Sequence, residues 1–160
     1  MRKFLLEKGL DKLAGWLRLL GQDALVLNSE VRKAELLRHL DRTFITTSRK
    51  LETHLKAWGV DYLVLPKERW EVQLYLLLKH FRIKPELKLN RCYYCNAQLL
   101  RVKKEEVEDR LPPLVRTYGK DFTLCPTCGK VYWKGTHHEK LKKKLRYITS
   151  ISRSLEWFAL

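Results

Sequence analysis

Four cysteines, arranged as two C-x-x-C pairs, constrain this chain more than any other feature of its sequence. The pairs are Cys92/Cys95 and Cys125/Cys128, and together they use every cysteine in the chain. Two such pairs can present four thiolates to a single ion, and a closed tetrahedral sulfur site is typical of structural Zn²⁺. The spacing therefore predicts a zinc ribbon.

The residues around the two pairs extend this prediction. Gly129 directly follows the last cysteine and allows the tight backbone turn of a zinc knuckle. The intervening segment, residues 96–124, is longer than the loop of a short zinc finger, so it must carry structure of its own. We expect a hairpin around Leu111-Pro112-Pro113 and place the ribbon in a second domain at residues 89–136.

Two disulfides or a redox-active dithiol are the alternatives to a metal site. Disulfides require an oxidising compartment, but the charges in the opening residues MRKFLLEK interrupt the apolar run that a signal peptide needs. No apolar stretch reaches the roughly 20 residues that span a bilayer. We therefore expect a cytoplasmic protein without membrane contact, in which the paired cysteines bind metal.

The charge balance indicates a polyanionic partner. The net charge is +15 and the isoelectric point is near 9.8. Residues 1–90 carry 18 basic and 11 acidic side chains, and residues 91–160 carry 15 and 7, so both parts are basic. A surface with stabilising ion-pair networks would hold balanced signs instead. The excess of positive charge favours nucleic acid as the partner.

The first part of the chain alternates short apolar runs with helical patterns. The expected strands are residues 4–6, 24–27, 44–47 and 62–65, and the expected helices are residues 10–20, 34–40, 50–58 and 70–81. Alternation of this kind predicts an α/β domain with a parallel sheet flanked by helices, which we place at residues 1–88.

Acidic residues follow several of the predicted strands. Glu7 follows the first strand, Glu30 or Glu35 follows the second, and Glu68 follows the fourth. The carboxyl ends of parallel strands meet at one edge of a sheet, where converging carboxylates could hold Mg²⁺ or Mn²⁺ and activate water. The third strand is followed by Ser48 instead of an acid. The alternative is that these are ordinary solvated strand ends.

Two segments of the chain resemble the Mut-seven C-terminal RNase family. They are FLLEKGLDKLAGWLRLLG at residues 4–21 and CPTCGKVYWKGTH at residues 125–137. The resemblance extends to about Leu145. It implies a PIN-like nuclease domain joined to a C-terminal zinc ribbon, acting on RNA with Mg²⁺ or Mn²⁺ when its acidic site is complete.

The chain departs from the family pattern at that acidic site. Glu7 stands where the family has aspartate, and Ser48 stands where a T-R-D motif has its carboxylate. Arg32 and Lys33 occupy the acidic start of the second helix, and Gly15 replaces an arginine. Fewer anionic ligands and nearby cations weaken a Mg²⁺ site.

These departures imply an RNA-binding protein with impaired catalysis. We expect a component of a ribonucleoprotein, with ribosomal RNA in a ribosomal particle as the partner. The alternative is a metal-dependent endoribonuclease that acts on structured RNA through Glu7, Glu35 and Glu68.

The C-terminal segment, residues 137–160, begins as a basic helix. Leu141 and Leu145 would anchor one face and leave the cations outward, although a lysine run can also be a merely solvated face. The residues expected to contact RNA are Lys134, His137, His138, Lys140, Lys142, Lys143, Lys144 and Arg146, with Tyr93 and Tyr94 as exposed stacking platforms. His137 could instead hydrogen-bond within the ribbon. The tail at 147–160 would fold back or contact a protein.

Overall fold

A parallel four-stranded sheet forms the centre of the larger part of the molecule. The structure, a computed structural model, describes residues 1–151. The strands are β1 (Lys3–Leu6), β2 (Asp23–Val26), β3 (Thr43–Thr46) and β4 (Tyr62–Val64). They pair in the order β2-β1-β3-β4, and all three pairings are parallel. The predicted parallel sheet is confirmed.

Helices connect the strands, as parallel pairing requires. Their bounds are α1 (Asp11–Leu19), α2 (Lys33–Leu37), α3 (Glu52–Ala57, preceded by a 3₁₀ turn at Arg49–Leu51) and α4 (Trp70–Phe81). The apolar spacing in α4 predicts its bounds correctly. Helix α2 is shorter than expected, because only Leu36 within it is buried.

The two faces of the sheet pack against different helices. Phe4 and Leu6 of β1 face one apolar core, which also contains Leu13 and Leu17 of α1. Leu5, between them in the sequence, faces a second and smaller core that contains residues of α2 and α3. Successive side chains of a strand point to opposite faces, so the continuous apolar run in β1 reflects a strand that is buried on both sides.

The cysteine-containing part has its own small sheet and core. Strands β5 (Leu100–Arg101), β6 (Thr123–Leu124) and β7 (Val131–Tyr132) pair antiparallel in that order. A third apolar cluster of Val107, Leu111 and Phe122 lies beside them. Trp133 packs against this cluster.

The expected hairpin at Leu111-Pro112-Pro113 is wrong. The segment between the strands is helical instead, with α5 (Lys104–Val107), a 3₁₀ turn (Glu108–Arg110) and α6 (Pro113–Tyr118). Pro113 stands at the start of α6, where its missing N–H is not needed and its φ already suits a helix. Leu111 is buried between the turn and this helix.

The last helix, α7 (Thr136–Thr149), packs back onto the larger part of the molecule. Leu145 and Ile148 are buried in the core shared with α1 and α4, and Leu141 packs against it. The apolar face predicted from Leu141 and Leu145 is therefore confirmed. The Lys144 ammonium lies 3.1 Å from the Glu71 carboxylate of α4, which further ties the two helices together.

None of the helices within residues 1–151 has the length and apolar character needed to cross a bilayer. The predicted protein contact through the tail at 147–160 falls largely outside the described residues. The cytoplasmic location stays a prediction.

Candidate metal centre, acidic strand end and basic cavity

The four cysteines come together as a metal site. The Sγ atoms of Cys92, Cys95, Cys125 and Cys128 all lie within 4.8 Å of one another. The Cys92 and Cys128 sulfur atoms are 3.7 Å apart. A tetrahedron with Zn–S bonds of about 2.3 Å requires sulfur separations of about 3.8 Å, so the cluster has the dimensions of a four-thiolate site.

Each cysteine pair is held in a knuckle by the same two backbone hydrogen bonds. In the first, the N–H of Asn96 donates to the Cys92 carbonyl at 3.0 Å, and the Cys92 N–H donates to the Ala97 carbonyl at 2.9 Å. In the second, Gly129 and Cys125 make the equivalent bonds. Asn96 and Gly129 both have left-handed backbones, with φ of 63° and 76°. These are the residue types that adopt this conformation at least cost.

Neighbouring groups shift the thiol pKa values in opposite directions. Burial favours the neutral thiol of Cys92, but hydrogen bonds from the Tyr132 hydroxyl and from nearby backbone N–H groups outweigh it and lower the pKa of Cys92 to about 7. Burial and the adjacent thiols raise the pKa of Cys95 to about 12. Four crowded thiols cannot all ionise alone, so a divalent cation is the partner that stabilises the thiolates together.

The first knuckle is attached to the parallel sheet by polar side chains. Arg18 of α1 donates from Nη1 to the Tyr93 carbonyl at 2.8 Å and from Nε to the Ala24 carbonyl at 2.8 Å. Asn96 accepts a hydrogen bond from the Ala24 N–H at 3.0 Å. Arg18 and Asn96 are both buried, so these bonds satisfy groups that water cannot reach.

Asp23 is the charged centre of this attachment. Its carboxylate lies 2.7 Å from the Arg42 guanidinium and accepts from the Asn96 amide at 2.7 Å. The Arg91 guanidinium is 3.9 Å away. Burial alone would raise the pKa of Asp23, but the hydrogen bonds and charges of these partners outweigh it and lower that pKa below its usual range.

The aromatic rings next to the first knuckle differ in exposure. Tyr93 is half-buried, because its ring lies against Gly15 of α1. A Cβ atom at position 15 would overlap the Tyr93 ring. Tyr94 is 63% exposed. The expectation of an exposed platform therefore fits Tyr94, whereas Tyr93 is a packing residue between the two parts of the molecule.

Glu7 lies at the carboxyl end of β1, where the sequence predicts an acidic site. Its carboxylate accepts a hydrogen bond from the Thr46 hydroxyl at 2.8 Å and weaker ones from Thr47 at 3.4 Å. The Ser48 N–H donates to the same Thr46 hydroxyl oxygen at 3.0 Å. The Thr46 hydroxyl therefore connects the Glu7 carboxylate to the backbone of Ser48.

The other predicted acids do not join Glu7. Glu35 lies 3.7 Å from both Arg38 and His39, which directly follow its helix α2. Glu68 is exposed after β4. Within residues 1–151, the four cysteines are the only group of three or more ligand-type side chains close enough to share an ion. Glu7, Glu35 and Glu68 therefore do not form a carboxylate cluster in this conformation.

A large cavity opens between the cysteine centre, α1, α4 and the start of α7. Its volume is about 700 Å³. Four lysines line it, namely Lys12, Lys130, Lys140 and Lys144. No acidic side chain of residues 1–151 contributes to its lining. We call it the aromatic cavity, because the remaining walls carry the rings of Trp16, Trp70, Tyr93, Tyr94, Tyr132 and Trp133.

The predicted RNA contacts fall into two groups. The exposed residues outside the cavity lining are Lys134, Lys142, Lys143 and Arg146. The residues that line the cavity are Tyr93, Tyr94, His137, His138, Lys140 and Lys144. His138 departs from the expected surface contact, because it is only 6% exposed. It is the second residue after the start of α7 and turns towards the body, whereas neighbouring His137 is exposed.

Most residues that line the aromatic cavity are not among the RNA contacts predicted from the sequence. Trp16, Trp70, Lys12 and Lys130 line it, but their spacing is that of ordinary helix and ribbon residues. Trp16 and Trp70 come from different helices and stack with ring centroids 5.4 Å apart. No local pattern marks them as members of one site. The one available signal was the unusual number of tryptophans in a basic chain, five in 160 residues.

The fold and the site together define a parallel α/β domain with an acidic strand end, joined to a four-cysteine centre. The family model described as Mut7-C RNAse domain matches residues 2–145. Because the match covers most of the chain, the protein belongs to the Mut7-C RNAse domain family, and the predicted family is confirmed. The chain thus carries an RNA-related, nuclease-like domain. No curated protein and no solved structure is significantly similar to it.

Proposed function

We propose that this protein binds RNA through the outer face of α7 and that its nuclease-like centre is catalytically impaired. The observation that carries the proposal is the segregation of charge on this helix. Lys143 and Arg146 are exposed and have no carboxylate within 4.0 Å among residues 1–151, whereas Leu145 and Ile148 are buried. Unpaired cations on a rigid helix are suited to the phosphates of RNA.

The proposed RNA-binding surface combines Lys143 and Arg146 with neighbouring basic residues. It would consist of Lys134, His137, Lys140, Lys142, Lys143, Lys144 and Arg146, with Tyr94 at its edge. Its ion pairs moderate the charge only in part, since Lys142 lies 3.6 Å from Glu139 and Lys144 lies 3.1 Å from Glu71. The net charge of +15 supports a polyanionic partner for the whole molecule.

The state of the acidic strand end supports impaired catalysis. Glu7 is engaged by Thr46, Ser48 offers a hydroxyl where the family motif has a carboxylate, and Glu35 lies 3.7 Å from the Arg38 guanidinium just after its own helix. A hard cation is held chiefly by several carboxylate oxygens. A single glutamate that is already hydrogen-bonded to Thr46 supplies little of that coordination. Mg²⁺ or Mn²⁺ would therefore be a cofactor only if the nuclease site were active.

The four-cysteine centre is proposed to hold structural zinc. Four thiolates complete a tetrahedral shell and leave no open position for water, which is the arrangement of structural sites. The proposed organisation is therefore a PIN-like domain at residues 1–88, a zinc ribbon at 89–136 and a basic C-terminal segment at 137–160. We further propose that the protein works in a ribonucleoprotein, with ribosomal RNA as its partner.

A metal-dependent endoribonuclease acting on structured RNA is the second function. It is favoured by the family match and by the half-buried position of Glu7 at the end of β1. Glu35 and Glu68 would have to move towards Glu7. This function requires Mn²⁺-dependent cleavage that disappears in Glu7→Gln, and a wild-type protein that binds RNA without cutting it would exclude it.

The proposed function is tested by RNA affinity measured without Mg²⁺ over a range of salt concentrations. Lys143→Ala/Arg146→Ala should weaken binding to every sequence, and the slope of log K against log salt should fall by about 0.7 per lost phosphate contact. The control Arg38→Ala/Lys56→Ala removes the same charge from the residue after α2 and from α3, on the other face of the sheet, where both cations already have carboxylate partners. Equal losses in both variants, or no RNA binding by the wild type, would contradict the proposal. Sedimentation of a cell extract tests co-migration with a ribosomal subunit.

A further inference from the structure

We propose that the aromatic cavity accepts an unpaired base of single-stranded RNA while the lysines at its rim hold the flanking phosphates. This inference rests on the proposed function and names a subsite within it. The volume of about 700 Å³ lies in the range of about 300–1,000 Å³ that small-molecule sites occupy. The site is therefore large enough for one nucleotide and too small for a duplex.

The walls have the chemistry of a base-stacking platform. Tyr94 is 63% exposed, so a face of its ring is within reach of a ligand. Tyr132 and Trp133 follow the second knuckle and form the adjoining wall. Every base has a flat π-face, so aromatic walls bind bases with little regard to sequence.

Two lysines of the lining lie over aromatic rings, where an entering base would displace them. The Lys130 ammonium lies 4.5 Å from the centre of the Tyr94 ring, and the Lys12 ammonium lies 5.2 Å from the centre of the Trp70 ring. Neither lysine has a carboxylate within 4.0 Å among residues 1–151. An entering base would take over the ring face, and the displaced ammonium would meet the phosphate that arrives with the base.

A buried imidazole offers a polar group for the edge of the base. His138 lines the cavity and is 6% exposed, and its Nδ1 atom has no hydrogen-bond partner among residues 1–151. An unpartnered buried polar atom costs stability unless a ligand or water satisfies it. The cavity also receives the start of α7, whose first N–H groups have no side-chain cap.

The absence of acidic residues from the lining decides between classes of ligand. The lining holds four lysines and no acidic residue of the described part of the chain, and only Lys144 is paired, with Glu71 outside the lining at 3.1 Å, so the cavity favours an anion. An acidic peptide would satisfy the lysines, but it would leave most of the aromatic surface uncovered. RNA satisfies both features, because each nucleotide brings one flat apolar face and one negative charge.

The test compares two single-stranded probes of the same charge. One is an oligoadenylate of roughly 10 nucleotides, and the other is an abasic ribose-phosphate chain of the same length. Wild-type protein should bind the oligoadenylate about 5- to 150-fold more tightly, which is the range for one stacked base. Tyr94→Ala/His137→Ala should bring this ratio close to one. Tyr118→Ala is the control, because Tyr118 is 76% exposed and lies outside the cavity lining.

The outcomes separate this inference from the proposed function. If neither probe binds, the proposed function fails and the inference fails with it. If both probes bind equally, RNA binding through the outer face of α7 is supported, but the proposed binding of a base in the aromatic cavity is wrong. Lys143→Ala/Arg146→Ala should weaken both probes by the same factor. If base preference appears only after residues 152–160 are deleted, the cavity is the site of the chain's own C-terminal segment and the inference is overturned.

Photocrosslinking locates the base without any substitution in the protein. A single-stranded RNA that carries one photoreactive thiouracil should crosslink to residues of the cavity lining, chiefly the exposed Tyr94 and His137. A tenfold excess of unmodified oligonucleotide should suppress these crosslinks. Crosslinks confined to residues outside the lining would overturn the inference.

Discussion

The ring of Tyr93 lies against the Cα atom of Gly15, and this contact joins the first cysteine knuckle to helix α1. The sequence difference at position 15, where the family pattern has arginine, therefore has a structural meaning in this chain. A side chain at that position would displace Tyr93. The same displacement would disturb the aromatic cavity, because Tyr93 forms part of its wall.

The effect of Gly15→Ala on stability should reverse when Tyr93 is removed. In the wild type the added methyl group overlaps the ring, and overpacking of this kind costs about 1–3 kcal/mol. In a Tyr93→Ala background the methyl group is accommodated, and the higher helix propensity of alanine should stabilise the protein by about 0.5–1 kcal/mol. Urea unfolding of the four proteins in this double-mutant cycle provides the measurement. The same sign in both backgrounds would show that the ring moves aside freely.

Metal removal should unfold the ribbon and leave the parallel sheet folded. The four-cysteine centre is the element that fixes both knuckles, and structural zinc sites of this kind contribute about 10–16 kcal/mol of apparent folding free energy. We expect about one zinc ion per chain by elemental analysis. After chelation, amide exchange should accelerate throughout residues 91–132 and change little in β1 and β3.

Cys128→Ser is the matched substitution for this experiment, because Cys128 is the exposed member of the cluster. It should lower zinc retention without creating a cavity in the core. Unchanged amide protection in residues 91–132 of the metal-free protein would contradict the prediction.

The attachment of the ribbon to the sheet should weaken in acid. The pKa of Asp23 is lowered in the folded protein, so its ionised form contributes stability above the ordinary aspartate value near 4, and this contribution is lost as the pH falls through the folded pKa. Asp23→Asn should therefore be less stable than the wild type near pH 7, and the difference should shrink near pH 3. Unfolding free energies at the two pH values check this.

The control for this pH dependence is Asp109→Asn, which removes the same charge from an exposed position. It should leave the free energy of unfolding nearly unchanged. If Asp23→Asn follows the wild type in parallel from pH 7 to about pH 3, the carboxylate does not contribute as argued.

Restoring the missing acid should increase metal affinity at the end of the sheet. Ser48 is linked to Glu7 through the Thr46 hydroxyl, so Ser48→Asp would bring a second carboxylate to the same strand ends. One added charge near a divalent cation is worth at least about 1 kcal/mol, or about fivefold in Mn²⁺ affinity. Calorimetric titration with Mn²⁺ measures the change.

Ser48→Asn serves as the neutral control of similar size. It should bind Mn²⁺ no better than the wild type. Equal affinities for the aspartate and asparagine variants would mean that position 48 does not face the metal site, or that Arg32 and Lys33 repel the cation too strongly.

The elements of the larger domain could be predicted because their signals are local. The apolar spacing from Trp70 to Phe81 predicts α4, and the apolar run from Phe4 to Leu6 predicts β1. The segment at residues 111–113 was predicted wrongly, because adjacent prolines favour a turn and also favour the start of a helix. Only the packing of Leu111 into the third apolar cluster decides between them.

Of the candidate sites, the metal centre could be predicted from the sequence and the acidic site could not. The spacing of the cysteines is sufficient to predict the metal centre, because a tetrahedral ion takes four ligands and two C-x-x-C pairs supply four sulfur atoms. The acidic site could not be judged from spacing, because convergence of Glu7, Glu35 and Glu68 depends on where three different loops lie. In the structure, Thr46 of the neighbouring strand β3 holds Glu7, whereas Glu35 lies beside Arg38, three residues along the chain.

The sequence by itself determined the family, the four-cysteine centre, the order of strands and helices in the larger domain, and the excess of positive charge. Each of these depends on residue type or on spacing between near neighbours, which the chain carries without folding. The tertiary structure decided that the half-buried Tyr93 packs against Gly15, that Asp23 joins the sheet to the first knuckle, and that the aromatic cavity exists. These contacts bring together residues more than 70 positions apart, and only packing of the whole chain can place them.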